Sequence, residues 1–204
     1  MKKSSKKSLL PLIIKAVALV LGIATICMAF MPFITRTGYA ANSITSQLSL
    51  SGFDMAFGKT KVTGIDGDFP NWIVFFRDGI SSTTTDFAAG TITYKLNPFT
   101  GVLIQMIVAL VALALVLISM LFKGKKSKKI GALFLIFAGL CFVTAGIMAF
   151  FPVNLGGYAT SITETLGLKT GVEFATGTGA LLFAIFGLAS GAVSFVGGLV
   201  SCSK

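Results

Sequence analysis

Few residues in this chain could do chemistry, and their placement limits what that chemistry could be. There is no histidine, and the seven acids (Asp54, Asp66, Asp68, Asp78, Asp86, Glu164 and Glu173) all lie within 35–99 or 152–174. Asp54 and Glu173 occupy equivalent places in two similar segments, which makes them a candidate pair of rim carboxylates. Such pairs can share a proton or bind a cation, although loop acids are more commonly just solvated. Asp66-Gly67-Asp68 has the opening spacing of a calcium loop, but Pro70 and the missing downstream glutamate break that pattern. Cys27 and Cys141 lie in apolar segments and Cys202 in the tail, so the acidic stretches hold no disulfide. A zinc-type ligand set is lacking too. Lys15 is the one charged residue inside an apolar segment, near enough to its end to snorkel. General acid–base catalysis lacks its usual residues. The expectation is a protein that is not an enzyme and uses no cofactor or metal.

The elements that carry these residues are written in the composition. Of 204 residues, 54% are hydrophobic and only 12% charged, about half the charge of a soluble domain. A bilayer core of about 30 Å needs about 20 helical residues, and four segments reach that length. They are 9–34, 100–122, 130–151 and 175–200, the last three without any charged residue. Backbone groups in lipid must be satisfied internally, so unbroken runs of this length read as helices.

Charge placement predicts the topology. Residues 1–8, Lys15, the 123–129 linker and the 201–204 tail hold 11 of the 17 basic residues and no acid. Lys and Arg in short loops stay on the cytoplasmic side. Both termini and the linker are therefore expected in the cytoplasm, with 35–99 as a large outer loop and 152–174 as a short one. The net charge of +10 is then a topology signal and a grip on anionic lipid, not a nucleic-acid surface. A cleavable signal peptide is the rival reading of the first span, with Gly38-Tyr39-Ala40 as its small-residue site. The apolar run is too long for one, and Gly-Tyr-Ala recurs at Gly157-Tyr158-Ala159, where no signal could be. A lysine-rich start and the absence of Asn-x-Ser/Thr suit a bacterial cell membrane.

The recurrence belongs to an internal duplication. MAFMPFITRTGYAANSIT (Met28 to Thr45) and MAFFPVNLGGYATSIT (Met148 to Thr163) match through Pro32/Pro152, Gly-Tyr-Ala and Ser-Ile-Thr. The echo continues through Leu48/Leu166, Leu50/Leu168, Gly52/Gly171, Asp54/Glu173 and Gly58/Gly177. Each repeat is expected to be one helical hairpin, the two running parallel. The first carries an insert, 59–98, and inserts in repeat proteins tend to reach the partner-facing side.

Within the loops, Gln47 to Ser51 and Thr91 to Leu96 alternate with period two and read as strands. Trp72 to Phe76 reads as a buried strand or a membrane-dipping segment. Tyr39, Tyr158 and Trp72 are candidate anchors at the membrane interface. In the fourth span Gly187 and Gly191 form GxxxG, and Ser190, Ser194 and Gly198 a second small-residue row. Such rows let helices approach closely, inside a bundle or against a partner helix. Gln105 and Ser119 could hydrogen-bond across the bundle.

The layout resembles that of claudin-like four-helix membrane proteins: internal termini, a large first outer loop with strands, a short inner turn and a smaller second loop. The Gly-Leu-Trp motif and loop cysteine pair of those proteins are missing, since Trp72 stands alone. The resemblance is one of layout along the chain, and no function follows from it. The expected fold is an all-α membrane protein of four helices in two parallel hairpin repeats, with a small β-containing extracellular subdomain from the first loop. The expected function is scaffolding, or service as an accessory subunit, through the outer loop and the fourth helix. Its expected partners are the lipid bilayer and another membrane protein or itself. The alternative is a channel or transporter subunit passing a small solute passively between the repeats or within an oligomer.

Overall fold

The computed structural model describes residues 6–67, 81–122, 127–155, 160–165 and 167–202. The chain divides into two compact units. One comprises Met1–Met28, Gln105–Phe150 and Leu181–Lys204, and the other Ala29–Ile104 and Phe151–Ala180.

Four long helices carry the first unit: α1 (Lys6–Met28), α3 (Thr100–Leu121), α4 (Ser127–Met148) and α6 (Thr178–Cys202). All four are long and apolar enough to cross a membrane, and at 1.5 Å per residue the 22 residues of α3 rise about 33 Å. Their interior is packed with small residues between a few large ones. Ala18, Ala112, Val116, Leu135, Ala138 and Phe142 form a fully buried cluster. Outward, every one of these helices exposes large apolar side chains, such as Val20, Leu121, Leu133 and Ile185.

The second unit is built from strands. Sheet A has the order β2-β1-β7-β6, all antiparallel, from β1 (Pro32–Ala40), β2 (Ser43–Ser51), β6 (Ser161–Thr165) and β7 (Leu168–Thr176). Sheet B has the order β3-β5-β4, from β3 (Lys59–Gly64), β4 (Ser81–Asp86) and β5 (Thr91–Leu96). Two short helices complete the unit, α2 (Gly52–Phe57) and α5 (Pro152–Leu155). Strands make up 29% of the described residues, so the all-α expectation is corrected: four membrane-length helices are joined by a substantial antiparallel sheet region. Both loops supply strands to sheet A, where the sequence reading had given sheet structure only to the first.

The first apolar segment is also shorter as a helix than its hydropathy implies. It was expected to run to residue 34, but α1 ends at Met28 and the chain enters β1 at Pro32. Phe33 and Ile34 are fully buried in the core of the sheet unit. Hydropathy does not distinguish burial in lipid from burial in protein, and β-branched residues next to a proline favour the strand. At the other end of the chain α6 starts at Thr178, after Ala175 and Thr176 have closed β7.

The two hairpins of sheet A show how one residue redirects a chain. Leu48-Ser49-Leu50 continues through β2, with Ser49 opposite Thr35. Its counterpart centres on Gly167, which has φ +76° and immediately precedes Leu168, the residue paired with Thr165. Glycine takes that backbone freely, whereas serine does not. The duplicated sequence thus turns two strands of different length. Sheet B, by contrast, spans Lys59 to Leu96 and coincides with the insert.

Candidate functional site

At the far end of β1 from Pro32, two hairpin turns are stitched together by one side chain. Asn42, at φ 68°, closes the β1–β2 turn with Ala41 at φ 47°, the left-handed pair a two-residue hairpin requires. Its side-chain amide donates to the Gly167 carbonyl (3.0 Å), and its Oδ1 accepts from the Lys169 N–H (2.6 Å). The Asn42 N–H itself donates to the Lys169 carbonyl at 3.0 Å. Beside this seam the Tyr39 hydroxyl donates to Glu173 Oε2 at 3.0 Å, and Lys169 Nζ lies 5.5 Å from the Tyr39 ring centroid. The carboxylate raises the Tyr39 phenol above its ordinary pKa, chiefly through that hydrogen bond.

The two candidate rim acids have separate partners. Asp54 lies on α2, where Lys59 Nζ reaches its Oδ2 at 3.3 Å, while Glu173 lies on β7 and accepts from Tyr39. No group of three or more metal-ligating side chains occurs among the described residues. As for the anchors, Tyr158 and Trp72, with the 72–76 segment, lie outside the described residues. Tyr39 is seven residues along β1 from Pro32, roughly 23 Å at the usual strand rise. Its hydroxyl is engaged by Glu173 on β7. The first strand is longer than a loop reading allowed.

In the helical unit the small residues of α6 meet other helices of the same chain. A Cβ on Gly191 would lie 2.9 Å from the Gly139 carbonyl oxygen of α4, and one on Gly187 3.2 Å from the Gly146 Cα. One on Gly198 would lie 2.9 Å from the Ala132 carbonyl oxygen. Ser190 Oγ donates to the Ala18 carbonyl of α1 at 3.0 Å. The Ser194 hydroxyl and both polar atoms of the Gln105 side chain are buried without a partner. Ser119 Oγ donates to the Val116 carbonyl of its own helix at 2.7 Å, and the Ser119 carbonyl accepts from Lys15 Nζ. That lysine therefore crosses between helices.

Sheet B adds a feature that sequence reasoning missed. At the β4–β5 turn, Asp86 Oδ1 accepts from the N–H groups of Ala88 (3.0 Å) and Ala89 (3.1 Å). The Ile65 N–H donates to the Gly90 carbonyl at 3.1 Å, tying the end of β3 to the same turn. On this braced turn Phe87 is 83% exposed, with Ile65 and Val62 also exposed. Its sequence signal is modest, an Asp that caps its own turn followed by an aromatic.

Comparison with protein-family models, with curated proteins and with solved structures gave no match. Function has to be argued from the residues.

Proposed function

We propose that this chain is a non-catalytic multi-pass membrane protein. Its four helices carry a two-sheet unit on the outer face of a bacterial cell membrane, and sheet B docks a second membrane protein. The observation that carries the reading is Phe87. Burying a phenylalanine side chain gains about 1.5–3 kcal/mol, and here one is braced outward by the Asp86 cap. Aromatic residues on rigid supports are the usual anchors of protein interfaces. The insert that presents it is what distinguishes the first repeat from the second. We read the helices as two parallel hairpin repeats on the strength of the paired motifs, and the termini as cytoplasmic on the strength of the basic segments. The test is whether a companion protein leaves the membrane with this chain and is released by Phe87→Ala.

A second reading, a subunit that passes a small solute, is favoured by one observation. Buried partnerless polar atoms at Gln105 and Ser194 are what a polar path through a bundle would display. Solute flux in liposomes, lost on Gln105→Met, would support it over docking.

A further inference from the structure

Helix α2 is only six residues long, too short to persist by itself, and two of its backbone groups are tied to residues that border two different long helices. The Phe53 N–H donates to the carbonyl of Ala29 at 2.8 Å, and the Phe99 N–H donates to the Met55 carbonyl at 2.7 Å. Ala29 is the first residue after α1, and Phe99 is the last before α3. Backbone hydrogen bonds have little slack, so α2 is held against the residue that follows α1 and the residue that precedes α3. Ser51 caps it by accepting from the Asp54 N–H at 3.0 Å. A Cβ on Gly52 would lie 2.7 Å from the Phe33 ring, so the helix start is pressed onto the core of its unit.

One face of α2 buries Gly52, Met55 and Ala56. The other presents Phe53 and Phe57, four residues apart and therefore neighbours, at 40% and 46% exposure. Their ring centroids are 4.8 Å apart, and Phe30, 63% exposed, stacks on Phe53 at 4.9 Å and 20°. Three half-uncovered phenylalanines thus form one patch, and Phe30 stands only two residues after the last residue of α1. The charged residues within and just after α2, Asp54 and Lys59, pair with each other at 3.3 Å.

We infer that Phe30, Phe53 and Phe57 form a lipid-contacting foot, embedded at the boundary of headgroups and acyl chains in the leaflet on the side of the sheet unit. Short amphipathic helices lie in that plane with their apolar face down. The self-neutralised charge pair means that zwitterionic lipid suffices. The foot fixes the seat of α2, and through it the point where β2 ends and β3 begins.

The test uses the full chain with Trp72→Phe and a single tryptophan at Phe53→Trp, reconstituted in phosphatidylcholine vesicles. A second chain carries Phe57→Trp, should the first fail to fold, and a third carries Phe87→Trp as the water-exposed reference. Phosphatidylcholine brominated near the top of its acyl chains should remove the larger part of the emission at 53 or 57 and leave that at 87 unchanged. Aqueous acrylamide should do the reverse, and adding phosphatidylglycerol should change neither. Acrylamide quenching at 53 and 57 equal to that at 87, with no effect of brominated lipid, would overturn the inference. So would protection from both quenchers, which would mean that protein covers the patch.

Discussion

Tyr39 and Glu173 are 134 residues apart in sequence and meet only because β1 and β7 are neighbours. The acids were legible as residue types in loops, but their partners were not, since strand pairing between distant loops leaves no local signal. The hydrogen bond requires a protonated phenol, and the raised pKa of Tyr39 gives the sign of its linkage to stability. The contribution is fully present below the ordinary phenol value, about 10, and disappears as pH rises through the raised value. Glu173→Gln should therefore lower the pH at which Tyr39 ionises, as read from tyrosinate absorbance with Tyr94→Phe and Tyr158→Phe in the background. An unchanged midpoint would deny the bond. Gln105 poses the opposite case, a buried amide without a partner. Gln105→Met keeps its length, removes its polar atoms and should leave stability unchanged or raise it by up to about 1–3 kcal/mol, measured by unfolding in mixed micelles. A clear loss would mean that the amide holds water or solute, and would move weight to the conducting reading.

Elements followed from sequence where the pattern was long and failed where it was short or shared. The four long helices were legible because their apolar runs are long and unbroken. The ends of the first and last were not, because Phe33 and Ile34 are apolar for the sake of a protein core and Ala175 is a strand residue whose hydropathy resembles that of a span. Period-two alternation found β5 and part of β2, whereas β3 and β4 are too uniformly polar to show an inward face. The turn at Gly167 escaped notice because a glycine in place of Ser49 looks innocuous in an alignment. No atom crowds that position, so Gly167→Ser should cost only the left-handed backbone penalty, about 1–2 kcal/mol, in thermal unfolding. The α4–α6 crossing is different, since a methyl on Gly191 would lie 2.7 Å from Val143 Cγ2. Gly191→Ala should destabilise by about 1–3 kcal/mol without changing the oligomeric state. Intact stability with a changed oligomer would instead assign this row to another chain.

At the scale of the molecule, sheet B leaves the chain and returns to it at one place. Lys59 is opposite Leu96, and a Cβ on Gly58 would lie 3.2 Å from Pro98 Cδ. Residues 59–98 can thus be excised without stretching what remains, which is why the duplication was visible around them. What the sequence could not show was the use of this insert, because an aromatic in a polar loop becomes informative only once Asp86 is seen to brace its turn. The most direct measurement is mild detergent extraction of the tagged chain, followed by size-exclusion chromatography and mass spectrometry of what elutes with it. The docking account predicts a stoichiometric companion membrane protein, absent both from Phe87→Ala and from the chain lacking 59–98, while each variant still elutes as a single species. A wild-type chain that elutes alone, or a companion that stays with both variants, would contradict it.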